Sequence, residues 1–556
     1  MGFGILEDKS DLAHVPGTVL LAEKISQPGD VLAQLKHGSG ADAQIVLVPQ
    51  PSEDPNDPLN WPYWKKLSIV AILVYGSCLC AATVGPLLNA SIAVLAMDFK
   101  TSFKDITLMS GYQLLAAGCS GPIVSALARK YGKRPVFLAS SLFAVIGSIM
   151  GSASHSYNTL LAARIVQGFS ISAYESIIFS VIPDLFFLHQ RGLFTAIVSF
   201  TLSAVSNLSS VVAGAVTNNL GWHYLFHLLI VTVGLQLILL YLFVPETTYH
   251  RDRLYEVDLA STDNLQELAE AEARHDPRTQ KAIQDLKIEK TVTNTSSVPP
   301  PKKTFIQELA IFTGTHSDES LIQLVFAPVL CCLNLGVLWV VVVSGTVTSF
   351  YVGMAYVAAQ IFSFPPYNLT AAGVGYLSLG PFLGGALASI VLGLTNDPLI
   401  IWFTKRNKGI FEPEIRLLPI IFSSVGGVGL ILYGVLAQRG DNLYLVDFMW
   451  GLMLFGAVFI FTSASAYAID AYRDMSSELF IASMMLKNFL FYAYSYFMND
   501  WAASAGPAQV FEVFGGVYFA LALTTIPLYI FGKRYRSFWH RHNLLEMLHV
   551  RTHSAF

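Results

Sequence analysis

Three charged residues lie inside long apolar runs of this sequence. Arg164 and Glu175 occur in LLAARIVQGFSISAYESIIFSVIP (residues 160–183), and Lys487 occurs in MMLKNFLFYAYSYF. A charge at membrane depth costs about 3 kcal/mol or more, so such residues usually face a cavity and mark a pathway for ions or substrates. A buried carboxyl can also bind and release a proton when its charged surroundings change. Glu175 is therefore the candidate proton-coupling residue, together with Arg164.

The spacing of the first two charges predicts that they share one helix face. They are eleven residues apart, which at about 100° per residue brings them within roughly 20° of each other and about 16 Å apart along the axis. We expect both to line a water-filled route; the alternative is a pair of structural charges bonded to neighbouring backbone. Lys487, near the middle of its run, is expected to balance Glu175 or a substrate anion; the alternative is a structural lysine.

The surrounding elements are predicted to be membrane-spanning helices. The chain is 53% hydrophobic and 13% charged, whereas soluble domains average about 25% charged residues. Apolar runs near or above 18 residues recur, which is typical of membrane spans. Six such runs precede a polar break, and six follow it. The first six are 66–88, 106–127, 135–154, 159–182, 193–215 and 223–244; the last six are 323–347, 368–395, 417–437, 444–469, 479–499 and 511–532.

The sequence thus predicts an all-α membrane protein with twelve transmembrane helices in two six-helix halves. The run 321–363 is long for one span, so we expect an extended helix or an interfacial segment there. The chain is predicted to begin with a cytosolic, largely disordered tail (1–64), followed by the first transmembrane half (65–246) and a cytosolic linker (247–319). The second transmembrane half (320–533) and a cytosolic C-terminal tail (534–556) come next. At the end of the linker, FIQELAIF (residues 305–312) is amphipathic and is expected to lie on the membrane face.

Lysine and arginine residues are concentrated in alternate loops, which sets the predicted orientation. The basic loops lie between spans 2 and 3, between spans 8 and 9 and after span 12, and the opposite loops hold few basic residues. Both termini and the linker are therefore predicted to be cytosolic in a multi-pass protein of the cell membrane. Two glycosylation patterns, at Asn89 and Asn368, fall on the predicted outer side.

Several function classes have no support in the sequence. The net charge of −4 gives no reason to expect a nucleic-acid partner, and the five cysteines all lie in apolar runs, where they behave as small hydrophobic residues. The sequence contains no phosphate-binding loop of the Walker type, no HExxH, no zinc-spaced cluster and no nucleophile elbow. We therefore predict no enzyme activity, no cofactor and no metal site, and expect transport to be driven by an ion gradient.

Motifs in a fixed order resemble those of one transporter family. They are DPLNW (57–61), YGKRP (131–135), LAARIVQGFS (161–170), GWHYLF (221–226), VPETTY (244–249) and FEPEIRL (411–417). The chain is identified by them as a member of the major facilitator superfamily, and it is similar to the fungal twelve-span drug:proton antiporters. In that family the loop between helices 2 and 3 helps lock the two halves together. The resemblance therefore implies gating roles for Arg129, Gly132 and Arg134, with Asp397 as the second-half counterpart.

Two departures from the family pattern bear on function. Arg129 stands where the family usually has an acid, so the lock between the halves must differ. In NLSSVVAG (207–214), serines replace the Gly-Pro pair that is associated with antiport.

The predicted function is a proton-coupled transporter that exports a small organic compound, such as a toxin, drug or secondary metabolite, by alternating access. Two alternatives remain, uptake of an organic cation or nutrient and a non-transporting membrane sensor. We expect a monomer in the lipid bilayer whose partners are its substrate and protons. The candidate substrate-binding residues are Gln167, Lys487, Asn488, Tyr467 and Asn207.

Overall fold

The computed structural model describes residues 5–6, 18–20, 51–52, 54–249, 301–317, 319–407, 410–472 and 475–547. Most of the predicted linker, residues 250–300, and most of the N-terminal tail lie outside these described residues.

The described chain forms twelve long helices, named α1 to α12, as predicted. Ten are apolar and long enough to cross a membrane, whereas α2 and α11 carry more polar residues. In the first half the helices are α1 (Tyr63–Thr83, continued by Pro86–Phe99), α2 (Phe103–Tyr131), α3 (Lys133–Ser152), α4 (Tyr157–Leu185), α5 (Leu188–Phe200, Thr201–Val205 and Ser206–Leu220) and α6 (His223–Phe243).

The second half repeats this arrangement with longer breaks. Its helices are α7 (Leu321–Leu333, then Leu335–Phe362), α8 (Ala371–Arg406), α9 (Pro413–Arg439), α10 (Leu443–Ala471), α11 (Ser476–Ser495, then Met498–Ala505) and α12 (Pro507–Arg541). The long run that begins at residue 321 is thus one helix interrupted at Asn334, whose side chain accepts the backbone N–H groups of Gly336 and Val337 and so caps the second segment. The fold class predicted from the sequence is confirmed.

The two halves meet along two helix pairs, α2 with α11 and α5 with α8. Glycines permit the close approach of α2, because Gly111, Gly118 and Gly121 each face side chains of α11. On the second pair, a Cβ atom added to Gly214 would lie 2.5 Å from the carbonyl oxygen of Ala371 and 3.1 Å from Cα of Gly375. These backbones therefore touch, and only glycine fits between them.

Three helices of the first half contain a π-helical turn. The turns are Ser77–Thr83 in α1, Ala173–Ile177 in α4 and Thr201–Val205 in α5, and they pack against one another. A π turn inserts one extra residue, so it rotates the residues beyond it relative to a regular helix, and such turns are frequent at functional sites. The residue types in these stretches show no physical cause for the turns that we can identify.

The start of α1, the end of α6, the start of α7 and the end of α12 lie at one end of the bundle, which we call the linker face; the other end is the far face. Residues 301–317 and 319, which we call the strap, run along the linker face of the first half. The Glu308 carboxylate pairs with Lys65 Nζ at 2.7 Å, and Arg134 donates to the carbonyls of Glu308 and Leu309. The predicted interfacial helix is only four residues long, Phe305–Glu308, with Phe305 and Ile306 exposed.

Parts of the N-terminal tail pack against the second half. Strand β1 (Val19–Leu20) pairs antiparallel with β2 (Ile410–Phe411), and the backbone N–H of Leu6 donates to the Ile530 carbonyl at 3.0 Å. The Thr18 hydroxyl donates to Glu412 at 2.8 Å. These contacts differ from the expectation of a disordered tail, because a sequence pattern cannot reveal a short strand paired over such a distance along the chain.

Candidate functional site

A central cavity of about 260 Å³ lies between the two halves. The first half lines it with residues of α1, α2, α4 and α5, and the second half with residues of α7, α8, α10 and α11. All three π turns reach its wall: Ala81 and Ala82 belong to the turn in α1, Glu175 belongs to the turn in α4, and Leu202 and Ser203 belong to the turn in α5. A cavity that both halves build is the geometry that alternating access requires.

Glu175 and Lys487 form an ion pair across the cavity. Lys487 Nζ donates to Glu175 Oε1, which links α4 of the first half to α11 of the second half. The other carboxylate oxygen, Glu175 Oε2, is buried without a hydrogen-bond partner among the described residues. Both side chains line the cavity and keep 22% and 13% exposure, so water and small solutes can reach them. A single proton on the carboxylate would remove the charge that holds Lys487.

Arg164 lies away from this pair, contrary to the prediction that it lines the same route as Glu175. Its guanidinium is fully buried and donates to the carbonyls of Val84 and Gly85, each at 2.8 Å, and to Gln167 Oε1 at 3.0 Å. The prediction assumed a regular α-helix, whereas the π turn adds a residue and rotates Glu175 off the Arg164 face. Arg164 therefore stabilises the break in α1.

Three further predicted binding residues do not line the cavity. Gln167 donates to the Ser148 hydroxyl, Tyr467 packs edge-on against Trp339, and Asn488 packs beside Gly118 of α2; none of the three predicted residues has exposed surface. Sequence position gave only their approximate depth, and the helix rotation that turns them away from the cavity could not be read from a single sequence.

Asn207 lines the cavity as predicted, and it connects the two halves. Its Oδ1 accepts a hydrogen bond from the Tyr351 hydroxyl of α7, and its amide group donates to the Ser203 carbonyl of its own helix at 3.0 Å. Next to this contact, the Tyr356 hydroxyl donates to the Gly85 carbonyl at 3.0 Å. Both tyrosines therefore join α7 to the first half at the cavity wall.

The two predicted glycosylation residues have opposite environments. Asn89 is only 5% exposed and lines the cavity, so no glycan can be attached there in the folded protein, and that prediction is wrong. The pattern did not show that α1 continues past its break and carries Asn89 inward. Asn368 is exposed in the loop before α8, and glycosylation there stays a prediction.

The predicted gating residues lie at the linker face. Arg129 Nη1 of α2 contacts Glu478 Oε1 of α11 at 2.5 Å and Glu319 of the strap at 3.4 Å, so it joins the two halves. Arg134 instead holds the strap through backbone carbonyls. The backbone of Asp397 lies within α8, and its side chain is outside the described part of the structure.

Gly132 has a conformation that only glycine adopts readily, with φ of +98°. The Glu246 carboxylate lies directly against it and accepts the backbone N–H groups of Lys133 and Arg134, each at 3.0 Å. The carboxylate thereby caps the first turn of α3. Gly132 and Lys133 belong to the YGKRP motif and Glu246 belongs to the VPETTY motif, so this one contact connects the two motifs.

The side of the cavity toward the linker face has an aromatic contact that the sequence did not predict. Phe179 of α4 and Phe480 of α11 stack with ring centroids 5.7 Å apart, and both line the cavity. Along α11, Phe480 lies between Lys487, which pairs with Glu175, and Glu478, which pairs with Arg129 of α2. Three successive contacts thus join the halves on this side. In the described residues, no group of three metal-ligating side chains could hold a metal ion.

Comparisons with known proteins agree with this architecture. The family model described as Major Facilitator Superfamily matches residues 71–485. An uncharacterized MFS-type transporter of Schizosaccharomyces pombe is 24% identical, covering 98% of this chain and 97% of the relative. A Saccharomyces cerevisiae protein named "Probable drug/proton antiporter YHK8" is 22% identical over 68% of this chain and 67% of its own length. The crystal structure of a D-xylose-proton symporter superposes with a TM-score of 0.53 at 14% identity, covering 83% of this chain and 97% of that one.

Proposed function

Since the chain belongs to the major facilitator superfamily, we propose that it is a proton-coupled secondary transporter that exports a small organic compound by alternating access. The Glu175–Lys487 ion pair carries this proposal. It places a titratable carboxylate inside the cavity, and it joins the two halves that must move apart. One relative is named as a drug/proton antiporter, which supports export in exchange for protons.

Proton binding would act on the contact between the halves. A proton on Glu175 removes its negative charge, so Lys487 loses the Coulomb attraction of the ion pair and keeps only a hydrogen bond to a neutral carboxyl group. The link between α4 and α11 then weakens. Loss of the proton on the other side of the membrane restores the pair. The carboxylate thus couples protonation to the relative position of the halves.

The linker face is assigned to the cytosol. Its loops carry most of the lysine and arginine residues, which is typical of cytosolic loops. An even number of spans would bring both termini to this face together with the linker. We propose that the protein works as a monomer in the cell membrane, since one chain builds the complete cavity.

The proposal is tested with purified protein in proteoliposomes. An imposed proton gradient should drive movement of a compound from a panel of toxins and drugs against its own gradient. Glu175→Gln keeps the shape of the side chain in its neutral form, so it should still exchange the compound down its gradient but fail to accumulate it. Glu512→Gln, the same substitution at an exposed residue of α12, is the matched control. Uphill transport by Glu175→Gln with the wild-type pH dependence would exclude Glu175 as the coupling residue.

Lys487 is tested by the same assay. Lys487→Met keeps a long flexible side chain without its charge, and it should change the rate or substrate preference while folding stays intact. Wild-type transport of several compounds by this variant would make Lys487 a structural residue.

Proton-coupled uptake of an organic cation or nutrient is a second candidate, favoured by Glu175 Oε2, a buried carboxylate oxygen that has no hydrogen-bond partner among the described residues. The direction of proton flow separates the two candidates. Protons move with the compound during uptake and against it during export.

A further inference from the structure

The cavity has one polar wall and one apolar wall. Along α5, residues at helical spacing face the cavity, and all except Leu202 are polar: Ser199, Ser203, Ser206, Asn207 and Ser210. Along α10, the residues that face the cavity are Leu454, Ala457, Val458, Phe461 and Thr462, of which only Thr462 carries a polar side-chain atom. Helix α5 thus contributes a polar surface to the cavity, and α10 contributes a largely hydrophobic one.

The strongest hydrogen-bond donors of the cavity are already used within the protein. Lys487 donates to Glu175, the Tyr351 hydroxyl donates to Asn207, and the Tyr356 hydroxyl donates to a backbone carbonyl of α1. A ligand that offered only acceptors would have to displace one of these contacts.

Hydroxyl groups of α5, α7 and α8 around the cavity also donate their hydrogen bonds to groups within the protein. Ser203 donates to the Ser199 carbonyl at 2.7 Å, Thr348 to the Ser344 carbonyl at 2.8 Å, and Ser389 to the Gly385 carbonyl at 2.9 Å. Each hydroxyl oxygen keeps lone pairs that can accept a further bond. These side chains therefore present acceptors to the cavity.

Two acceptor oxygens of residues that line the cavity are buried and have no partner among the described residues. They are Glu175 Oε2 and Asn89 Oδ1, and Asn89 is 95% buried and lines the cavity. A buried polar atom without a partner costs about 1–3 kcal/mol, so it is a place where a ligand gains from supplying a hydrogen bond. Glu175 and Asn89 are held by different helices, which places acceptors at two separate points of the wall.

We propose that the cavity selects amphipathic organic molecules whose N–H or O–H donors face Glu175, Asn89 and the polar wall of α5, with their apolar body against α10. The selection deepens the proposed transport function and rests on it. Hydrogen-bond donors on one edge of the substrate, rather than its net charge, determine which compounds bind.

Binding to the purified full-length protein in detergent tests this selection with two matched pairs of probes. One pair is a trihydroxystilbene and its trimethyl ether, and the other is phenethylammonium and phenethyltrimethylammonium. Methylation removes the donors in both pairs, while the second pair keeps its positive charge. At least one donor-bearing probe should bind about tenfold more tightly than its methylated counterpart, since a net hydrogen bond contributes about 1 kcal/mol and more with a charged partner.

Variants of the polar wall should reduce this preference. Asn89→Leu and Ser206→Ala should each lower the affinity for the donor-bearing probe several-fold and leave the methylated probe unchanged. Ser209→Ala is the control, because Ser209 lies on the same helix, donates to the Ser206 carbonyl and does not line the cavity. Ser206→Ala removes a single oxygen atom, so it keeps the test valid should Asn89→Leu fail to fold.

The proposal is overturned by equal affinities within both pairs, by tighter binding of the methylated probes, or by no binding of any of the four. A preference that survives both Asn89→Leu and Ser206→Ala also overturns it. None of these results affects the proton-coupling test, because the Glu175→Gln experiment measures uphill transport and not the choice of ligand.

Discussion

Replacement of Gly214 by alanine should open the cavity toward the far face. The added Cβ would lie 2.5 Å from the Ala371 carbonyl oxygen, whereas ordinary contact begins at 3.4 Å, so α5 and the start of α8 must separate by about 0.9 Å. Overpacking of this kind costs about 1–3 kcal/mol. The cost falls only on states in which α5 and α8 touch at this point. The equilibrium should therefore shift toward the state open to the far face by about 5- to 150-fold.

The shift can be measured by labelling a single cysteine in the cavity. Ser206→Cys, in a protein whose five native cysteines are replaced, reacts with a membrane-impermeant maleimide added from the far face. The labelling rate should rise in proportion to the open population. Gly393→Ala in α8 is the control, because nothing lies within 4 Å of its added Cβ and the gain in helix propensity is the same. An unchanged or lower rate in folded Gly214→Ala protein would refute the view that this contact closes the far face.

Three further outcomes are expected. Gly132→Ala should lower the melting temperature of the purified protein more than Gly221→Ala, because both glycines have φ of +98° but only Gly132 has a carboxylate against it. The difference between the two variants in free energy of unfolding should be about 1–3 kcal/mol. Equal effects would contradict the capping role of Glu246. Arg129→Gln and Glu478→Gln should each increase the rate at which the cavity cysteine is labelled from the linker face. The double variant should show a smaller change in the free energy of opening than the sum of the two single changes. Strict additivity would mean that the pair does not couple the halves. Protease added to intact cells should cleave no tag placed at residue 280 or at either terminus, and cleavage at any of these tags would overturn the assigned orientation.

The sequence predicted the number of helices, their grouping and Lys487 as a counter-charge for Glu175, because long apolar runs and charges within them leave few alternatives. It could not predict which way each helix faces. Regular helical spacing predicted Arg164 and Glu175 on one face of α4, whereas the π turn in the structure puts them on different faces. The break in α1, which the sequence pattern did not show, brings Asn89 to the cavity. The serines of α5 were visible in the sequence at helical spacing. Of the serines that line the cavity, only Ser210 belongs to the NLSSVVAG motif, and helical spacing alone does not show that this side of α5 faces the cavity.

The strap has a consequence for how the two halves assemble. Although it precedes α7 in the chain, it binds the first half through Lys65, Arg134 and the ion pair of Arg129 with Glu319. A chain cut at residue 280 would therefore yield a second fragment that carries its own attachment to the first. The two pieces, made separately in one cell, would recognise each other through this attachment before their cavity faces met. The covalent link between the halves would then be dispensable for assembly.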